Sequence, residues 1–161
     1  AMRFLLVDRV LSWEPDKRMT GVKNVTMSED FLEFHFPRYP VMPGVMLLEA
    51  LAQVAGWLTA ASSDFEHWAL LEHVRTSKFY GFALPGDQVQ LEVEAAASDD
   101  PETRVFRCAA RVDGELRARA ELEMRLVPMI EIESPQEQRL LFKVLTREMV
   151  YFATERNRKR K

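Results

Sequence analysis

The segment Val45–Ala61, VMLLEALAQVAGWLTAA, constrains the fold of this chain more than any other. Of its seventeen residues only Glu49, Gln53, Gly56 and Thr59 lie outside the hydrophobic set, and Ala, Leu and Met dominate, which predicts a helix. At the usual rise per residue that helix is roughly 25 Å long. This is short for a bilayer core, and a carboxylate interrupts it, so a membrane span is not expected. A helix apolar on every side belongs inside a protein, wrapped by something large. Glu49 would then be buried too, and a buried carboxylate without a partner costs several kcal/mol.

The remainder of the chain supplies strands to do the wrapping. Phe4–Val7 and Arg9–Trp13 read as extended, and Thr20–Met27 alternates well enough to predict a strand. Val89, Leu91 and Val93 alternate with Gln90, Glu92 and Glu94, a half-buried strand that follows the turn Leu84-Pro85-Gly86-Asp87. Val105–Val112 and Leu116–Val127 flank Asp113-Gly114, a strong hairpin signal. Ser134-Pro135-Gln136-Glu137 reads as an N-cap with proline at the first helical position. The helix it opens is expected to run to about Glu155, with an apolar stripe at Leu141, Leu145, Met149 and Phe152 that docks on its own sheet or a partner subunit. The expected class is α+β, an antiparallel sheet rolled around one central helix with an extra helix at the C-terminus. Residues 1–130 would form the main domain and 131–161 a helical extension.

Composition adds exclusions. Charge is −3 over 161 residues, but Glu155–Lys161 alone carries +4, leaving −7 on the body. A mildly acidic body argues against a nucleic-acid-binding face. The single cysteine, Cys108, permits no internal disulfide and no cysteine-rich zinc site, and is expected in the core. His35, His67 and His73 lack metal-ligand spacing, so no metal is expected, and the latter two read as surface or structural groups. Together with a start that lacks the order of a secretory signal, these features point to the cytoplasm.

Chemistry concentrates between Phe31 and the helix. Pro37, Pro40 and Pro43 forbid helix or central strand there and make a rigid loop around His35. The run from His35 to Gln53, HFPRYPVMPGVMLLEALAQ, closely resembles the signature HFPGxPxxPGVLxxEAxAQ of the hot-dog-fold 3-hydroxyacyl-[acyl-carrier-protein] dehydratases of fatty-acid synthesis, with the His-to-Glu spacing of fourteen retained. Phe4–Val10 resembles the first strand of that family, Val22–Thr26 its second, and Lys78-Phe79 with Pro85-Gly86-Asp87 a later strand and turn. The resemblance covers roughly residues 4–127.

The resemblance implies a reaction, and the residues suit it. Dehydrating a (3R)-3-hydroxyacyl thioester to the trans-2-enoyl product takes a proton from C2 and expels hydroxide from C3. His35 is the implied base, since imidazole titrates near neutrality. Glu49 is the implied acid or water-orienting group, because burial would let it hold a proton. Backbone N–H groups at Gly44 and Val45, at the helix start, are the candidate donors to the thioester oxygen. Gly44 is further expected to let the backbone approach the ligand. Gln53, one turn beyond Glu49, would orient the carboxylate. No cofactor is implied, because the thioester itself acidifies C2.

The implied partners are acyl carrier protein, with its phosphopantetheine-linked acyl group, and a second copy of this chain. His35 of one subunit would face Glu49 of the other, in a homodimer or a trimer of such dimers. The basic tail would favour an acidic carrier. Two residues depart from the pattern, Phe34 and Arg38 standing where the family usually has glycine; Arg38 would narrow the entrance or bind the phosphopantetheine phosphate. Two rival readings remain open at this point: a hot-dog thioesterase in which Glu49 activates water, and a non-catalytic acyl-binding or scaffold protein that kept the motif.

Overall fold

A computed structural model describes residues 4–148. It contains six strands, β1 (Arg9–Glu14), β2 (Arg18–Asn24), β3 (His67–Phe79), β4 (Gln88–Ala96), β5 (Thr103–Val112) and β6 (Glu115–Pro128). Two α-helices join them, α1 (Gly44–Ser62) and α2 (Pro135–Leu145), with 3-10 turns at Asp30–Leu32 and Met129–Glu131. All six strands form one antiparallel sheet in the order β1-β2-β4-β5-β6-β3. The sheet rolls around α1, which packs against each strand from β2 to β6. This is the hot-dog architecture, with the expected additional helix.

Alternation explains which strand faces turn inward. Val89, Leu91 and Val93 of β4 and Phe106, Cys108 and Ala110 of β5 are buried within the core that surrounds α1. At the β5–β6 hairpin, Val112 pairs with Glu115, and the two loop residues Asp113 and Gly114 both have positive φ, 49° and 80°. That is the geometry whose twist matches the flanking strands. By length and composition α1 resembles a membrane span, yet 56% of its apolar window is buried inside the molecule. Here the sheet provides the apolar surroundings.

Four expectations need correction. The strand expected at Thr20–Met27 is Arg18–Asn24, because Val25 leaves the ladder to exchange backbone bonds with Gly86 and Asp87. Phe4–Val7 is not part of the first strand, which begins at Arg9; the backbone of Phe4 and Leu6 bonds instead to the Gln53 side chain. The C-terminal helix begins as expected, with Ser134 capping Glu137, but ends at Leu145, since Arg147 at φ 64° adopts a left-handed conformation that a helix cannot continue through. Met149, Phe152 and the basic tail Arg156–Lys161 lie outside the described residues.

The fourth correction concerns α1 itself. It is not buried on every side. Val45 is 67% exposed and Glu49, one turn further on, is exposed as well. A single sheet rolled around a helix leaves one face uncovered, and i, i+4 spacing puts Val45, Glu49 and half-buried Gln53 along it.

Candidate active site

The His35 loop is rigid because its backbone bonds to itself and to the strand turn beside it. Phe36 and Tyr39 exchange N–H···O=C bonds at 3.0 and 3.1 Å, and the Val41 N–H donates to the His35 carbonyl at 2.8 Å. The Met42 N–H donates to the Ala83 carbonyl at 2.8 Å, tying the loop to the segment between β3 and β4. Leu32, Val41 and Met42 are buried and anchor both ends. The His35 ring stacks on Phe36 with centroids 4.2 Å apart, and its Nδ1 lies 3.0 Å from the Val41 carbonyl oxygen. A carbonyl there requires Nδ1 to carry the proton, so neutral His35 has its lone pair on Nε2, free to act as a base.

Just after the loop, Pro43 opens α1 with no side-chain cap. The Gly44 and Val45 amides therefore stand as donors at the positive end of the helix. The close approach permitted by Gly44 differs from expectation. A Cβ there would lie 2.7 Å from Cε1 of Phe79, so the glycine makes room for an aromatic ring of β3.

Glu49 and Gln53 are joined directly, Gln53 Nε2 donating to Glu49 Oε1 at 3.1 Å. Gln53 is itself held by the N-terminal segment, its Nε2 also donating to the Phe4 carbonyl at 2.8 Å and its Oε1 accepting from the Leu6 N–H at 2.9 Å. The amide orientation is thereby fixed by three bonds. The burial of Glu49 expected from the sequence is absent in the single chain; the carboxylate stands on the uncovered face of α1.

A groove of about 540 Å³ begins at Glu49 and Gln53 and continues along α1 to Trp57, between the start of β3 and α2. Apart from its polar end it is lined mainly by apolar groups, among them Ala52, Trp68, Leu71, Met129 and Leu141. Sequence reasoning marked Leu141 as part of a docking stripe but assigned none of these residues to a groove. The available signal was Gly56 within a helix of good formers, whose missing side chain leaves space for the Trp68 indole.

Among the described residues no hydrogen bond, ion pair or ring contact joins His35 to Glu49. Arg38 and Phe34 are both exposed, Phe34 at 77%. His67 and His73 lie exposed on β3, away from the site loop in sequence, and no group of three or more His, Cys, Asp or Glu among the described residues is arranged to hold a metal. Cys108 is buried in β5, and burial pushes its thiol up to about 12, so it remains protonated at neutral pH.

Residues 1–121 match the family model described as FabA-like domain. A 3-hydroxyacyl-[acyl-carrier-protein] dehydratase FabZ of Bacillus pumilus (strain SAFR-032) is 42% identical over 128 residues, covering 79% of this chain and 88% of the relative. That of Geotalea uraniireducens (strain Rf4) is 42% identical over 125 residues, covering 74% and 84%. Among solved structures, smu.793 from Streptococcus mutans UA159 bound to acetyl CoA superposes with a TM-score of 0.60 at 15% identity, covering 79% of this chain and 94% of that one. This last likeness is one of fold.

Proposed function

The chain belongs to the family of FabA-like domains, and we propose that its function is the dehydration of a 3-hydroxyacyl thioester borne by acyl carrier protein, a step of fatty-acid synthesis. The protein is a hydro-lyase, as its dehydratase relatives are over most of their length. One observation carries the reading to this chain's own residues: Glu49 sits at the polar end of an apolar groove, two turns or less from an uncapped helix start. A substrate with an alkyl tail and a reactive head matches that layout.

In the mechanism, His35 Nε2 removes the proton from C2 while Val41 holds the other ring nitrogen. Negative charge moves toward the thioester oxygen, where the Gly44 and Val45 amides stabilise it. Glu49, oriented by Gln53, gives its proton to the departing C3 hydroxyl, which leaves as water. The carboxylate needs a lower-dielectric setting than the single chain provides, and a partner subunit lying over the open face of α1 would supply it. The homodimer is therefore part of the reading, with His35 of one subunit serving Glu49 of the other. Support comes from the exposed aromatics Phe34, Phe36, Tyr39 and Phe82 around the His35 loop and from the outer edge of β3, which no strand among the described residues pairs. Arg38 is the candidate contact for the phosphopantetheine phosphate. Residues 1–130 are read as the catalytic domain and 131–161 as its extension, working in the cytoplasm.

The test follows enoyl absorbance during hydration of a crotonyl thioester. His35→Ala and Glu49→Gln should each lower kcat by about a hundredfold or more. Release of free thiol from a saturated acyl thioester, with no change at the enoyl band, would replace the dehydratase with a hydrolase.

A further inference from the structure

The match to the family model ends at residue 121, but the groove that holds Glu49 does not end there. Met124 of β6, Met129, Ile132 and Glu133 of the segment that follows it, and Gln138 and Leu141 of α2 complete its wall. We propose that this added wall sets the length of acyl chain the enzyme accepts, with Leu141 of α2 as the specificity-determining residue. The proposal rests on the dehydratase reading and deepens it.

From Glu49 to Trp57 the groove follows α1 for eight residues, about 12 Å. The α1 side runs from a carboxylate and an amide at one end to an indole at the other, where Trp68 adds a second indole, while Glu133 and Gln138 put polar groups in the opposite wall. This suits a ligand whose reactive head stays at Glu49 and whose alkyl tail lies along α1. The far corner is braced. Trp57 and Trp68 meet edge to face at 5.1 Å, and Trp68 fills the space above Gly56, where a Cβ would come within 2.3 Å of its ring. Behind Trp57 stands Phe142 of α2 at 5.8 Å, itself packed on Trp13 at 5.9 Å and Phe65 at 5.6 Å.

Helix α2 is thus fastened to the core through one aromatic cluster, in which Trp57, Phe65 and Phe142 are buried. An ion pair between Arg139 and Asp64 and the Arg139 guanidinium lying 4.9 Å over Phe65 hold its flank. From that fixed helix, half-buried Leu141 lines the groove one position before Phe142. A tail reaching the Trp57–Trp68 corner would lie against Leu141, and a longer one would have to displace a helix held at several points.

The experiment measures kcat/KM over a series from 3-hydroxybutanoyl to 3-hydroxyhexadecanoyl thioesters for the wild type, Leu141→Ala and Leu141→Trp. Exposed Leu140, which is outside the groove, gives the control Leu140→Ala. The wild type should fall off beyond a middle length. Leu141→Ala should move that limit to longer chains and Leu141→Trp to shorter ones. At about fourfold per accommodated methylene, the ratio for substrates two carbons longer against the wild-type optimum should change roughly fifteenfold in each direction. Leu140→Ala should keep the wild-type profile. A profile unmoved by both Leu141 variants overturns the proposal alone. So does a wild type equally active on the longest chains, which would mean that the tail leaves by another route and the partner subunit fills this groove. A wild type inactive at every length, and carrying no other fault in folding, overturns the dehydratase reading and the proposal with it.

Discussion

At Gly44 the first residue of α1 meets the Phe79 ring, and both belong to structures that surround the site: the helix start on one side, the end of β3 on the other. A methyl group here would sit 2.7 Å from the ring, closer than carbon atoms approach without displacement. Phe79 is partly exposed, so its ring has somewhere to move, but it would lose its packing on the helix start. Gly44→Ala should therefore lower unfolding free energy by about 1–3 kcal/mol, the usual range for overpacking. Adding Phe79→Ala should make the combined loss clearly smaller than the sum of the two single losses, in chemical denaturation followed by circular dichroism. Simple additivity would show that the ring contact is not what requires glycine. The sequence motif includes this glycine but not its reason, because Phe79 lies 35 positions away.

Among the elements, α1 and β3 show what a sequence reveals and what it hides. The glycine in the middle of α1 runs against helix propensity, which favours alanine by about 1 kcal/mol. Gly56→Ala should nevertheless destabilise the protein, since its Cβ would enter the Trp68 indole at 2.3 Å, and overpacking of this kind exceeds the propensity gain. A lower melting temperature, with altered tryptophan emission, is the expected result; a higher one would mean that Trp68 rotates freely away. The helix was legible because its composition has one structural solution, and β4 and the Asp113-Gly114 hairpin because each has one buried face and a turn that dictates its own geometry. β3 was not legible. It is an edge strand, exposed along most of its thirteen residues, with register breaks at Leu71/His73 and Val74/Thr76, so no period of two survives. For the same reason the site was only half legible: the motif identified His35, Glu49 and Gln53, but Trp68 and Leu71 stand on the strand that carries no pattern.

At the scale of the whole molecule, a lone chain gives each catalytic candidate an incomplete setting. His35 has its tautomer fixed but, among the described residues, no bond to Glu49, and Glu49 has its orienting amide but lies open to water. Among the described residues β3 has no strand on its outer edge, and exposed Leu70, Leu71 and Phe79 lie along it. A two-fold dimer through this region would complete both sites at once, because an isologous interface repeats every contact. The consequence is a complementation experiment. His35→Ala and Glu49→Gln homodimers should each be nearly inactive. Unfolded together and refolded as an equal mixture, half of the dimers would carry both kinds of subunit. If the two residues of a site come from different chains, each mixed dimer has one site with both defects and one with neither. About a quarter of the wild-type activity should then return. If His35 and Glu49 of the same chain served one site, every site in the mixture would keep a defect and no activity would return.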